Sequence, residues 1–136
     1  LELARLYHYL FQKTEQQVTV LYDLKGYDEI SLTGSTKALS KNSERVLTPT
    51  DFGVQLLQAS DISGGSSVAS SASIFMNVLQ NKGTLAQQNV VCANAGMAIA
   101  TALNVSPIEG FEKAKESLSN GNALKALSTL QNLSKA

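Results

Sequence analysis

Apolar residues recur at helical spacing near both ends of the chain, with short strand-like runs between them. Near the N-terminal end they follow an i, i+3, i+4, i+7, i+8 pattern, which predicts one face of a helix: Leu3, Leu6, Tyr7, Leu10 and Phe11. The apolar, β-branched run at 18–22 predicts a strand buried on both faces. Alternation at 30–33 predicts a second, half-buried strand, and the runs at 37–39 and 45–47 predict a hairpin.

The second half of the chain predicts four helices. After a polar, glycine-containing loop at 58–67, the first helix should end near Gly83 and bury one face: Val68, Ala72, Phe75, Met76 and Leu79. The alanine-rich segment 90–103 is apolar on nearly all sides, which predicts a helix that is buried all round or sandwiched between layers. Ser106, Pro107 and Glu109 predict a capped helix start, and the break at Asn120-Gly121 precedes a last amphipathic helix.

This order predicts an α/β fold: a partial mixed sheet with a hairpin, followed by a C-terminal cluster of helices. Between the hairpin and that cluster, Thr48 and Pro49 predict a capped helical turn with Asp51 near its positive end.

Composition narrows the class of partner. The chain has 136 residues, enough for one domain with a real core, and its eleven basic and eleven acidic residues cancel. We therefore expect no nucleic acid partner, and no apolar run approaches the length that a membrane span requires. The single cysteine, Cys92, cannot form an internal disulfide and suits a reducing cytoplasm.

One short string carries candidate chemistry. Asp28 and Glu29 follow a predicted turn at Lys25-Gly26, between two predicted strands. Adjacent carboxylates at such a point can bind Mg²⁺, which keeps several waters and is usually shared with substrate phosphates. A solvated turn with nothing bound is the alternative, and the spacing alone does not exclude it.

Longer strings resemble the C-terminal part of the anthranilate phosphoribosyltransferase family. The first two are Gly-Tyr-Asp-Glu-Ile-Ser-Leu-Thr-Gly at 26–34 and Leu-Thr-Pro-Thr-Asp-Phe-Gly at 47–53. The asparagine-alanine stretch at 92–96 and a tail with Glu109-Gly110, Ala114, Leu118, Gly121 and Leu127 continue the likeness. It spans essentially the whole chain, with four pieces in the family's order.

The resemblance implies a Mg²⁺-dependent enzyme of tryptophan biosynthesis. Such an enzyme transfers phosphoribosyl from phosphoribosyl pyrophosphate to anthranilate, and the family's metal pair corresponds to Asp28 and Glu29. Residues 1–136 would be the C-terminal fragment of a larger domain of the phosphoribosyltransferase/nucleoside phosphorylase type. The family's Gly-Thr-Gly-Gly-Asp and Lys-His-Gly-Asn segments and its helical domain would lie upstream of Leu1. We therefore expect the fragment to be inactive alone and to self-associate as a homo-oligomer unlike the family's dimer.

One departure from the family concerns the residues just before the carboxylate pair. Before the Gly26 turn, members often carry a histidine with a small residue and then an acidic residue, whereas residues 22–25 here are Tyr-Asp-Leu-Lys. Lys25 could neutralise the carboxylate pair or bind a phosphate. This departure allows one alternative, a non-catalytic binding homologue of the same fold. A second alternative is a pyrimidine nucleoside phosphorylase-like enzyme, against which the Asp-Glu pair argues.

Other conspicuous residues are expected to be structural. His8 has no ligand partner at metal-binding spacing, and Cys92 has no basic neighbour that would make it a nucleophile. The Gly-Gly-Ser-Ser run at 64–67 predicts a loop and helix cap more readily than an anion site. Asn94, within an apolar helix, should belong to a buried hydrogen-bond network.

Overall fold

A computed structural model describes residues 1–134 as a three-stranded sheet with five α-helices. The elements are α1 (Glu2–Gln12), β1 (Thr19–Asp23), β2 (Thr36–Ser40), β3 (Ser43–Leu47), α2 (Val68–Leu79), α3 (Leu85–Leu103), α4 (Pro107–Ser119) and α5 (Asn122–Leu133). Short 3₁₀ helices span Pro49–Phe52 and Ala59–Ile62. The predicted α/β order, with its hairpin and four C-terminal helices, is confirmed.

The sheet has the order β1-β2-β3, and both of its strand pairs are antiparallel within residues 1–134. β1 pairs with β2 from Thr19 opposite Ser40 to Asp23 opposite Thr36. β2 and β3 form the predicted hairpin, with Ser40 opposite Ser43. The expected mixed sheet is therefore wrong for the described part of the chain, where no parallel pair occurs.

The strand predicted at 30–33 is also absent, because the backbone there turns. Leu32 has φ 59°, in the left-handed region that an extended strand cannot contain. Ile30, Ser31 and Leu32 are all buried, so the alternation of apolar and polar residues does not mark an inner and an outer face. The segment 24–35 is instead a compact connection between β1 and β2.

The two faces of the sheet pack against different helices. Ala38 and Leu47 lie in the main core with residues of α3 and α4, including Met97 and Phe111. On the other face, Val20 and Leu39 line a narrow cavity together with Phe11 and His8 of α1. Alternate strand residues therefore contact α1 and the C-terminal helices, as the period of a strand requires.

Helices α3 and α4 cross closely, at an angle of 117° between their axes. A Cβ added to Gly110 would lie 2.1 Å from the carbonyl oxygen of Gly96, and one added to Gly96 would lie 2.6 Å from the backbone nitrogen of Phe111. Glycine at both positions lets the two backbones touch. Phe111 then packs against Phe52, with ring centroids 6.3 Å apart, which ties the crossing to the 3₁₀ turn after β3.

Two predicted buried faces are wrong. On α2, Val68 is 88% exposed and Phe75 53% exposed, and Val78 is the buried residue that contributes to the core. α3 is buried along one side only, since Val91 and Ala95 are exposed while Cys92 and Ala93 are buried. Alanine is small and apolar on every side of a helix, so its repetition does not indicate which side packs.

Within residues 1–134 no single helix is both long and apolar enough to cross a membrane. α3 and α4, which meet at a bend, reach the length and apolar composition of a membrane span only when the two helices are counted together.

Candidate metal site after strand β1

The candidate carboxylates lie on a turn that begins where β1 ends. The Gly26 N–H donates to the Asp23 carbonyl at 3.2 Å, and Gly26 has φ 88°, so the predicted turn at Lys25-Gly26 is confirmed. Asp28 and Glu29 follow at the surface, and Ile30 returns the chain to the core. The turn thus exposes Asp28 and Glu29 to solvent, directly before the buried Ile30.

Neither carboxylate is used by the fold. Within the described residues, Asp28 and Glu29 have no side-chain hydrogen bond. They also form no ion pair: the ion pair in this part of the chain joins two other residues, Lys37 and Glu44. Both residues border an open concavity of about 330 Å³ whose wall includes Tyr27, Ile62 and Val91. Their oxygens are therefore accessible to a ligand that enters this concavity.

The side chain of Lys25 lies along the backbone of Gly34. A Cβ added to Gly34 would be 2.7 Å from Lys25 Cγ, so the absence of a side chain at position 34 makes room for this packing. No ion pair within 4.0 Å joins Lys25 to Asp28 or Glu29 in residues 1–134. The carboxylates are thus not neutralised by Lys25 in this conformation.

The chemistry of this donor set fits Mg²⁺ as a partial site. No group of three or more His, Cys, Asp or Glu residues suited to a metal occurs among residues 1–134. That argues against Zn²⁺, whose sites need three or four protein ligands. Mg²⁺ is commonly held by one or two carboxylates, with water and substrate phosphate completing its shell, so Asp28 and Glu29 suffice on the protein side.

Asp23, which no sequence motif singled out, organises this turn. Its carboxylate is 1% exposed and accepts hydrogen bonds from the Lys25 N–H at 2.7 Å, the Ser31 N–H at 3.1 Å and the Ser31 hydroxyl at 2.9 Å. The Thr36 hydroxyl donates to it at 3.2 Å. The available signal was an acidic residue at the end of an apolar strand.

Asn94 of α3 holds the other side of the turn. Its Oδ1 accepts from the Ile30 N–H at 2.9 Å, and its Nδ2 donates to the Ile30 carbonyl at 2.9 Å. Nδ2 also donates to the Val90 carbonyl, one helical turn back, at 2.9 Å. The predicted hydrogen-bond network around Asn94 is confirmed, and it joins the carboxylate turn to the core helix.

The other conspicuous residues have structural roles. His8 Nε2 lies 2.8 Å from Gln12 Nε2 within α1, and burial raises the pKa of the Cys92 thiol. Ser67 caps α2 through its hydrogen bond with the Ser70 N–H, at 3.2 Å. Each finding agrees with the structural role expected for that residue.

Comparison with known proteins gives a consistent set of relatives. Residues 1–124 match the glycosyl transferase family, a/b domain. The anthranilate phosphoribosyltransferase of Christiangramia forsetii is 60% identical over 134 residues, which are 98% of this chain and 40% of that protein. The enzyme of the same name from Flavobacterium psychrophilum is 58% identical, over 98% of this chain and 41% of its own length. The chain thus spans about two fifths of these relatives.

Solved structures share the fold at lower identity. The anthranilate phosphoribosyltransferase of Thermus thermophilus superposes with a TM-score of 0.76 at 23% identity, over 87% of this chain and 36% of that one. The Saccharomyces cerevisiae enzyme in complex with PRPP and Mg superposes with a TM-score of 0.69 at 24% identity, over 81% and 32%. The chain therefore shares its fold with these proteins.

Proposed function

The chain belongs to the glycosyl transferase family with an a/b domain, and from that premise we propose that it is part of an anthranilate phosphoribosyltransferase. In this proposal residues 1–136 are the C-terminal part of the catalytic domain. The whole enzyme transfers phosphoribosyl from phosphoribosyl pyrophosphate to the amine of anthranilate and acts in tryptophan biosynthesis. The identity of 60% to the C. forsetii enzyme, over nearly all of this chain, is the support from sequence. The buried free Cys92 is compatible with a cytoplasmic location.

The observation that carries the proposal is the unpaired carboxylate pair beside an open concavity. Asp28 and Glu29 would hold Mg²⁺ from one side and leave its remaining positions to water and pyrophosphate oxygens. When bound, the ion neutralises the negative charge that grows on pyrophosphate as the bond to the ribosyl carbon breaks. The chain's own task is to present both carboxylates to this one concavity.

A chimeric enzyme tests this function directly. The matching 134 residues of the C. forsetii enzyme would be replaced by those of this chain, and consumption of anthranilate would be followed with phosphoribosyl pyrophosphate and Mg²⁺. We expect activity from the chimera. Asp28→Asn and Glu29→Gln should each lower kcat/KM by about 100-fold or more, because metal charge stabilisation is worth several kcal/mol.

Glu112→Gln is the matched control, since Glu112 is an exposed carboxylate on α4. It should leave the rate unchanged. A folded chimera without transferase activity would favour a non-catalytic homologue, and phosphorolysis of a pyrimidine nucleoside would favour the nucleoside phosphorylase alternative. Either result contradicts the proposal.

The isolated chain should have no transferase activity, because two adjacent carboxylates do not form a pyrophosphate site by themselves. Purified residues 1–136 with phosphoribosyl pyrophosphate, anthranilate and Mg²⁺ should give no product. Product above the level of a heat-denatured sample would contradict this.

A further inference from the structure

The turn that carries Asp28 and Glu29 is fixed by hydrogen bonds on both sides of the pair and by none from the pair itself. Asp23 and Ser31 flank the turn in sequence, and Asn94 reaches it from α3. The backbone on both sides of Asp28 and Glu29 is therefore held by these three residues.

Asp23 ties together the two ends of the turn. Its Oδ1 accepts from the Lys25 N–H, before the carboxylate pair, and its Oδ2 accepts from the Ser31 N–H and hydroxyl, after it. The Thr36 hydroxyl also donates to Oδ2, which fixes the carboxylate to β2. A buried carboxylate with four donors is well satisfied, so Asp23 is a rigid point of the fold.

Asn94 fixes the turn to the core. Its amide makes paired hydrogen bonds, both 2.9 Å long, with the N–H and carbonyl of Ile30, the residue after Glu29. The third amide bond, to the Val90 carbonyl, holds the Asn94 side chain in one orientation on α3. Asp28 and Glu29 therefore lie between a point that Asp23 fixes to the sheet and a point that Asn94 fixes to α3.

We propose that Asp23, with Asn94, is a positioning residue that holds Asp28 and Glu29 in a common direction for a divalent cation. This inference rests on the metal site proposed above. Groups that orient metal ligands commonly change affinity by about 10- to 100-fold when they are removed, although they do not touch the metal. Loss of the Asp23 carboxylate should thus weaken cation binding even in a variant that remains folded.

A titration of the full 136-residue chain with Mn²⁺ alone tests this inference. Binding is measured as the loss of the electron paramagnetic resonance signal of free Mn²⁺. Asp23→Asn should weaken Mn²⁺ binding by about 10-fold, and Asn94→Ala, which changes no charge, should also weaken it. Asp51→Asn is the matched control, because it removes one negative charge from a capping carboxylate that bonds to Thr48, outside the turn. It should lower stability and change the affinity by less than about two-fold.

Thermal unfolding of each variant separates loss of folding from loss of binding. If Asp23→Asn does not fold, Ser31→Ala replaces it, since that change removes a single hydroxyl donor from Asp23 and should still weaken binding. Wild-type affinity in folded Asp23→Asn, or an equal loss in Asp51→Asn, overturns the inference alone. If Asp28→Asn and Glu29→Gln also bind Mn²⁺ like the wild type, or the wild type binds none, the proposed metal site is wrong and the inference with it.

Discussion

The α3–α4 crossing and the inner part of the β1–β2 connection, residues 30–32, are both buried, but they are ordered by different forces. At the crossing, two glycine backbones touch and Phe111 packs against Phe52, so shape complementarity fixes the arrangement. In the connection, the Asp23 carboxylate and the Asn94 amide hold a turn that contains a left-handed leucine, Leu32. The crossing should be sensitive to added volume and the connection to lost polar atoms.

Adding one methyl group at the crossing should have the largest effect. In Gly110→Ala the new Cβ would meet the Gly96 carbonyl oxygen at 2.1 Å, and backbone must move to relieve the contact. We expect a loss of about 3 kcal/mol or more in the free energy of unfolding, although alanine is the better helix former. Urea unfolding measures this.

Gly64→Ala provides the control for that change. No atom lies within 4 Å of the position its Cβ would take, and Gly64 does not have positive φ. Its free energy of unfolding should stay within about 0.5 kcal/mol of the wild type. Equal effects of the two substitutions would contradict packing as the force that orders the crossing.

Removing the amide of Asn94 should have the next largest effect. Asn94→Ala leaves the N–H and carbonyl of Ile30, a residue 2% exposed, without their partners. An unsatisfied buried polar group costs about 1–3 kcal/mol, so we expect a loss of about 2 kcal/mol. Asn89→Ala on the same helix is the control, since no side-chain hydrogen bond of Asn89 occurs within the described residues. A smaller loss for Asn94→Ala than for Asn89→Ala would refute the role of the amide.

Local signals in the sequence were sufficient to predict most elements. The Ser106–Glu109 capping box, the Thr48–Asp51 cap and the hairpin all depend on residues a few positions apart. Short-range hydrogen bonds of this kind are fixed by residue type and spacing, so the pattern alone contains them. The position of Asp28 and Glu29 on a surface turn was predicted for the same reason, from Gly26 and its neighbours.

The errors concern contacts between distant parts of the chain. Asn94 lies 64 positions from Ile30, and the turn they stabilise replaced the strand predicted at 30–33. Its alternating pattern did not reveal that the Ser31 hydroxyl would bind Asp23. The exposed faces of α2 and α3 were likewise expected to be buried, because an apolar face indicates that something should cover it but does not indicate what.

A local polar contact gives a smaller effect and a pH dependence. The Thr48 N–H, and after it the Thr48 hydroxyl, donate to Asp51 and lower the pKa of that carboxyl. The ionised form is the one that the fold stabilises. Its contribution is therefore present above the ordinary aspartate pKa of about 3.9 and is lost as pH falls through the lower pKa of the folded state.

Asp51→Asn should lower the free energy of unfolding at pH 7 by about 1 kcal/mol, because the charged acceptor of the Thr48 N–H and hydroxyl is lost. The difference between variant and wild type should shrink as pH falls below about 4, because the wild-type carboxyl is then becoming protonated. Unfolding curves at several pH values measure both quantities. A difference that grows in acid would contradict the cap's role.

The smallest effect on stability should come from a substitution on the solvent-exposed face of α1. Leu3 and Leu6 are 63% and 55% exposed, whereas Ala4 on the inner face is 7% exposed. Leu6→Lys should leave the free energy of unfolding within about 0.5 kcal/mol, while Ala4→Lys should destabilise the fold because it buries a charge. Exposed apolar faces of this kind favour association, so light scattering should show the wild-type chain self-associating and Leu6→Lys shifting it towards the monomer. A wild-type chain that stays monomeric at high concentration would refute this association.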